Sequence, residues 1–155
     1  MSPARVVSIN RSAGGVPKLA IPEATITRDG LLSDAHVYYR HGGPDKAVCL
    51  YALERIQALQ QEGHPIDIGT TGENLTVEGL DWDAVVPGVR LAVGSVELEC
   101  TDWAQPCATI AGSFRDKRSG RIAHKTHPGW SRIYARVIVE GAVQTGAPVR
   151  VISVP

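Results

Sequence analysis

Cys107 lies in the segment TDWAQPCATIAGSF, directly after a proline and before a short apolar run. Only a few per cent of a free thiol with a pKa of about 8.5 is ionised at neutral pH. The letters CATIAG predict a short helix, and unpaired N–H groups at a helix N-terminus favour the thiolate. Two alternatives are therefore open for Cys107: a reactive thiol, or a small core residue.

The two other cysteines have a different sequence context. Cys49 lies in the apolar run KAVCLYAL, which predicts a buried thiol. Cys100 falls on the apolar face of an alternating strand, which predicts a core residue; a disulfide or resolving role toward Cys107 is the alternative. The three cysteines have no CxxC or zinc-like spacing, and this usage is typical of a reducing compartment.

The segment RHGGPDKAV could bind an anion. Gly42 and Gly43 would let backbone N–H groups approach a ligand closely, and Arg40, His41 and Lys46 would supply charge. The segment lacks the GK[ST] pattern of a P-loop. An ordinary surface loop that leads into a strand is the alternative.

Two further segments carry polar side chains of interest. In TTGENLTVEG, Asn74 could bind a ligand or hold its own turn. In AHKTHPGW, His124 and His127 are spaced as two metal ligands on one helix face would be. The following Pro-Gly pair disfavours a helix there, and no third ligand is evident, so a metal site at these histidines is disfavoured.

Composition and charge exclude several classes of protein. The 155 residues carry 16 Lys and Arg against 16 Asp and Glu, and they predict one domain over residues 1–155. No apolar run reaches about 18 residues and no signal peptide is evident, so we expect a cytoplasmic protein without a membrane partner. The basic segment 115–136 is either a solvated surface or faces an anionic ligand. Aromatic residues make up only 5% and form no visible stacking platform, which disfavours nucleic acid as a partner.

The elements that must position these groups are mostly strands. Short runs rich in Val, Ile, Leu and Thr alternate with glycine and proline, which is typical of a β sandwich or barrel. The predicted strands cover 5–9, 23–27, 47–50, 74–77, 90–93, 96–100, 134–139 and 149–154. Gly94-Ser95 predicts a hairpin turn, and the last two strands are predicted to pair with each other. One clear helix is predicted over about 51–62, ending at Gly63.

Taken in order, these segments resemble the MOSC domain, a module found at the C-terminus of molybdenum cofactor sulfurases and as free-standing bacterial proteins. The matching letters are VVSINRSAGGVPK, LLSDAHVYYRHGGPDKAV, GENLTVEG, ELECTDWAQPC and IYARVIVEGAVQTGAPVRVI, which together span nearly the whole chain. The resemblance implies a mostly β fold, a distorted MOSC-type β-barrel with one clear helix and short helical segments.

The resemblance also implies roles for particular residues. Cys107 would be the functional thiol, either carrying sulfur as a persulfide or ligating molybdenum, and His41 would relay a proton beside it. Molybdopterin ends in a phosphate, so the resemblance implies a set of cofactor-binding residues, namely Arg40, Gly42, Gly43, Lys46 and Asn74, with Arg132 and Arg136 as further candidates. Lys46 stands where arginine is common in the family, which removes a bidentate contact.

The function implied is that of a stand-alone MOSC domain that binds a molybdopterin-type cofactor or carries sulfur to it. Its partner would be a molybdoenzyme or a redox protein, and pyridoxal phosphate is not expected to be bound by this domain alone. One alternative is a molybdenum-dependent reductase of N-hydroxylated compounds that works with a separate redox partner. The other is a non-catalytic barrel that binds an anion or a protein.

Overall fold

The computed structural model describes residues 3–34 and 43–155. Within those ranges it contains eleven strands and one α-helix, α1 (Leu53–Gln61). The strands are β1 (Arg5–Arg11), β2 (Leu19–Ile21), β3 (Glu23–Thr27), β4 (Gly30–Leu31), β5 (Val48–Ala52), β6 (Leu75–Glu78), β7 (Arg90–Val93), β8 (Val96–Trp103), β9 (Ile133–Val139), β10 (Gly141–Gln144) and β11 (Val149–Ser153). The predicted mostly-β class is confirmed.

The strands form two sheets. The larger has the order β11-β7-β8-β9-β5-β6-β1-β2, and the smaller has the order β10-β3-β4. The described strands do not close into a continuous barrel. The beginning of β1 and the segment before β11 are instead linked by an isolated bridge between Arg5 and Pro148. Backbone hydrogen bonds flank that bridge, for example from Val6 N–H to the Ala147 carbonyl at 2.9 Å.

The helix α1 connects β5 to β6, which is the parallel pair in the larger sheet. Parallel neighbours need such a crossover, because a tight hairpin can join only antiparallel strands. Ile56 and Leu59 are fully buried on its inner face. The helix begins two residues later than predicted, since Tyr51 and Ala52 end the buried strand β5. No helix in the described ranges is long and apolar enough to cross a membrane.

Strand β8 shows how the sequence pattern forms the core. Val96, Leu98 and Cys100 are buried, whereas Glu97 and Glu99 between them are only partly covered. The predicted inward face of this strand is therefore confirmed. Burial raises the pKa of the Cys100 thiol to about 12. The predicted hairpin at Gly94-Ser95 is also confirmed, because Val96 pairs with residue 93 of β7.

The predicted pairing of the last two strands is wrong. Strand β9 lies between β5 and β8, and β11 pairs with β7. The connection between them is long enough to form β10, which pairs with β3 in the smaller sheet. Alternating hydrophobicity specifies which face of a strand is buried, but it does not specify the neighbouring strand. Strand β9 consequently lies inside the larger sheet, where it contributes to the cavity described next.

Candidate functional site

A cavity of about 70 Å³ lies where several loops meet the larger sheet. Its lining comes from the loop after β1, the middle of β5, the loop before β6, the segment after β8, and the start of β9. The residues on which the site depends are Lys18, Cys49, Asn74, Cys107, Arg132 and Tyr134. One cavity therefore joins two thiols, two cationic groups and a phenol.

Cys107 lines this cavity and is partly exposed. It directly precedes a six-residue 3-10 helix, Ala108–Ser113, and its carbonyl accepts a hydrogen bond from the N–H of Ile110 at 3.2 Å. The short helix predicted from the letters CATIAG is thus present. Its thiol borders open space, whereas a core thiol is enclosed by packed side chains.

Cys49 shares the cavity with Cys107. It is 6% exposed, and burial raises the pKa of its thiol to about 11. The sequence predicted its burial but not its place in the cavity. The prediction that Cys100 is a core residue is confirmed, and Cys100 does not line the cavity.

Arg132 is one of two buried cations in the cavity lining, with 6% of the residue exposed. Its Nη1 donates to the Thr71 carbonyl at 2.6 Å and its Nη2 donates to the Ala104 carbonyl at 3.4 Å. Its Nε is buried without a hydrogen-bond partner, and no carboxylate among the described residues pairs with the guanidinium. Leaving a buried charged donor unsatisfied is costly, so this side chain is suited to an anionic ligand.

Lys18 and Asp34 form a buried ion pair at 2.5 Å, with side chains 6% and 3% exposed. The Asp34 carboxylate also accepts hydrogen bonds from Ser12 N–H at 3.0 Å and from Asn74 Nδ2 at 2.9 Å. Asn74 Oδ1 in turn accepts from Cys49 N–H at 3.0 Å. Asn74 thus lies at the cavity as predicted, but its amide group is engaged in holding the walls together.

Glu73 is a fully buried carboxyl group behind the cavity. It accepts hydrogen bonds from Gly69 N–H at 3.1 Å and from the hydroxyls of Thr71 at 2.9 Å and Thr76 at 3.0 Å. Burial raises its pKa, which favours the neutral form. It therefore orders the loop whose Thr71 carbonyl binds Arg132.

Tyr134 lies near the start of β9, two residues after Arg132, and both residues line the cavity. Tyr134 lies opposite Cys49 in the ladder. Burial, followed by the nearby Cys49 thiol, raises the pKa of the Tyr134 hydroxyl to about 12. The hydroxyl consequently keeps its proton at neutral pH and can donate a hydrogen bond to a ligand.

Of the other predicted cofactor-binding residues, the structure describes only Gly43 and Lys46, and neither lines this cavity. Arg40, His41 and Gly42 fall outside the described residues. Gly43 precedes a 3-10 helix and does not line the cavity. Lys46 Nζ lies 5.4 Å from the centre of the Tyr134 ring.

Two further predicted groups also lie elsewhere. Arg136 Nε is 3.5 Å from carboxylate oxygens of Asp45 and Glu99, so its charge is partly neutralised. His124 stacks on Trp103, with ring centres 3.5 Å apart. Over residues 3–34 and 43–155, no group of three or more His, Cys, Asp and Glu side chains could hold a metal ion.

Alkylation with iodoacetamide at pH 8 should label Cys107 far faster than the other two thiols. The raised pKa values of Cys49 and Cys100 leave only about 0.1% or less of each as thiolate at that pH, and both are buried. Peptide mass spectrometry after brief labelling of the native chain measures this, with urea-unfolded protein as the control. Equal labelling of Cys49 and Cys107 would contradict the described difference in exposure.

Comparison with known proteins gives matches along most of the chain. The model of the MOSC domain family matches residues 37–150. YflK of Bacillus subtilis, an uncharacterised protein, is 34% identical over 114 residues, which cover 73% of this chain and 51% of YflK. A protein of Gibberella moniliformis named "Reductase" is 27% identical over 81% of this chain and 23% of its own length.

A similar fold occurs among solved structures. The crystal structure of YiiM from Geobacillus stearothermophilus has a TM-score of 0.75 and 27% identity, and the match covers 97% of this chain and 76% of that one. The chain spans about half the length of YflK and less than a quarter of the Gibberella protein.

Proposed function

The chain belongs to the MOSC domain family, and on this premise we propose that it binds a molybdopterin-type cofactor, or carries sulfur to one, through Cys107. One observation supports this above the others. The partly exposed Cys107 shares a cavity with Arg132, a buried cation whose Nε has no partner within the described part of the chain. A thiol beside an unsatisfied guanidinium suits a ligand that has both a sulfur- or metal-bearing end and an anionic end.

The residues present fit such a cofactor. Arg132 would hold its phosphate, because a guanidinium binds phosphate oxygens through charge-assisted hydrogen bonds. Cys107 would hold a soft centre, since thiolates are preferred by soft metals and readily carry sulfur. Bound molybdenum would supply two-electron redox chemistry at the cavity.

The remaining residues would shape the cavity and position Arg132. The ion pair between Lys18 and Asp34 fixes one wall and keeps its own charges internally balanced. The Tyr134 hydroxyl would donate a hydrogen bond from a position two residues after Arg132, near the start of β9. Glu73 would hold the loop that orients Arg132, because it accepts a hydrogen bond from the hydroxyl of Thr71.

A reductase of N-hydroxylated compounds is the second candidate. It is favoured by the likeness to the Gibberella protein named "Reductase". This chain matches only 23% of that protein, so in this proposal a separate redox partner supplies the electrons. A non-catalytic barrel is the third candidate, in which an anion satisfies Arg132 and Cys107 takes no part.

Metal analysis after expression with molybdate distinguishes these candidates. We expect about one molybdenum per chain in the wild type and loss of that metal in Cys107→Ala. Cys100→Ala, which changes a core thiol outside the cavity, is the matched control and should retain molybdenum.

Each outcome assigns the chain to one candidate. Molybdenum that is lost in Cys107→Ala supports cofactor binding. A sulfur adduct on Cys107 without molybdenum supports the carrier function. Absence of both, or full retention of molybdenum in Cys107→Ala, would overturn the role proposed for Cys107.

A further inference from the structure

The charge of the cavity is unbalanced in favour of an anion. Lys18 is neutralised by Asp34 at 2.5 Å, but no carboxylate among the described residues pairs with Arg132. The two hydrogen bonds of Arg132 go to backbone carbonyls, and its Nε has none. Burial disfavours the charged form of the nearby Glu73 carboxyl. A guanidinium that is 94% buried thus retains one free donor and its full charge.

The size of the cavity restricts the anion. Its volume is about 70 Å³. An engineered cavity that admits benzene has a volume of about 150 Å³, roughly twice as large. The space within the cavity therefore suits a small inorganic oxoanion, or the terminal group of a larger ligand that extends through the open side of the cavity.

Cys107 lines the same small cavity, so an oxoanion bound at Arg132 lies close to a thiol. We propose that the cavity accepts thiosulfate as a sulfur donor, with Arg132 binding the sulfonate oxygens and Cys107 accepting the outer sulfur. This inference rests on the sulfur-carrying form of the proposed function and names its substrate.

The transfer needs no external oxidant or reductant. The Cys107 thiolate attacks the outer sulfur of thiosulfate, and a new S–S bond forms between them. The S–S bond within thiosulfate breaks, and its electron pair leaves with the sulfonate sulfur as sulfite. The products are a Cys107 persulfide and sulfite, and the total charge is the same on both sides.

The surrounding residues suit this step. A thiolate and a thiosulfate dianion repel each other, so their approach requires an uncompensated cation, which Arg132 provides. The leaving sulfite keeps its negative charge and gains hydrogen bonds from Arg132 and from the Tyr134 hydroxyl, both of which line the cavity. Cys49 is buried with a raised pKa and is a poor competitor for the sulfur.

The test uses the reduced full-length chain, incubated with thiosulfate and then freed of it. Intact-mass and peptide measurements should show an adduct of about 32 Da on Cys107, with release of an equal amount of sulfite. Cyanide should remove the adduct as thiocyanate. Cys107→Ser should show no adduct, and Cys100→Ser, which changes a core thiol outside the cavity lining, should retain it.

Variants of Arg132 test the anion site itself. Arg132→Gln should slow loading by thiosulfate at least about tenfold, because the charge-assisted hydrogen bonds to the sulfonate are lost. Arg136→Gln removes the same charge four residues further along the chain, outside the cavity lining, and should load like the wild type. Added sulfite should compete with thiosulfate in the wild type, which gives a measurement that does not depend on any variant folding.

The outcomes separate this inference from the broader function. Loading from inorganic polysulfide but not from thiosulfate would overturn the thiosulfate proposal and leave sulfur carriage standing. Molybdenum retention without loading from either donor would overturn it and leave cofactor binding standing. Equal loading rates in Arg132→Gln and the wild type, together with no competition by sulfite, would overturn the anion site.

Discussion

Replacing Asp34 with asparagine should lower the free energy of unfolding by about 3–5 kcal/mol. The Asp34 side chain is 3% exposed and balances the charge of Lys18, which is equally enclosed. Its carboxylate also accepts hydrogen bonds from Ser12 N–H and from Asn74. An asparagine cannot neutralise Lys18, and its amide hydrogens would face donors. Urea denaturation at neutral pH measures the loss.

A matched variant shows whether burial is the cause. Asp83→Asn also removes a carboxylate from an ion pair, but the Asp83 side chain is 71% exposed beside Arg55. We expect a loss of only about 0–1 kcal/mol for this exposed pair. Adding Lys18→Met to Asp34→Asn should restore part of the lost stability, because the uncompensated buried charge is then absent. Similar losses in the two single variants would contradict the explanation.

Gly69→Ala should cost about 2–4 kcal/mol and should also impair the cavity. Gly69 has a φ of +81°, and a Cβ at this position would overlap the carbonyl oxygen of Lys18. The backbone of Gly69 is also bonded to both neighbouring segments, since its carbonyl accepts from Lys18 N–H at 2.9 Å and its N–H donates to Glu73 at 3.1 Å. Displacing it would therefore shift Lys18 and the loop that binds Arg132.

Gly146→Ala is the control for the backbone conformation alone. Gly146 has a φ of +92°, but no atom lies within 4 Å of where its Cβ would be. Its substitution should cost only about 1–2 kcal/mol and should leave the cavity unchanged. Thermal unfolding gives the stability of both variants, and the alkylation rate of Cys107 reports on the cavity. Equal stability and equal alkylation rates would show that the contact with Lys18 has no effect.

Local sequence patterns sufficed for much of the secondary structure. The alternation at Val96, Leu98 and Cys100 correctly predicted a buried face, because side chains alternate along a strand whatever its neighbours are. The spacing of Ile56 and Leu59 predicted α1, since helical periodicity is a property of the chain itself. The position of Cys107 after a strand and before a short helix was likewise predicted from the sequence. The structure adds that its thiol borders a cavity.

The residues that would bind a ligand in the cavity were harder to predict from the sequence. The segment around Lys46 was a candidate anion site because its glycines and charged residues lie together in the chain. In the described part of the structure, the buried cation without a carboxylate partner is Arg132, which was only a further candidate, and Lys46 lies against the Tyr134 ring. The spacing of two residues between Arg132 and Tyr134 at the start of β9 was the pattern that could have indicated them together.

The sequence by itself determined the class of fold, most of the strands, the α-helix and the position of Cys107 between a strand and a short helix. Only the tertiary structure decided which side chains lie near Cys107. Arg132 bonds the carbonyl of Thr71, 61 positions away, and Asp34 bonds Asn74, 40 positions away. Propensity and periodicity act over a few residues, whereas such contacts depend on which strands become neighbours. Whether a cation is neutralised or free to bind an anion is decided by those long-range contacts.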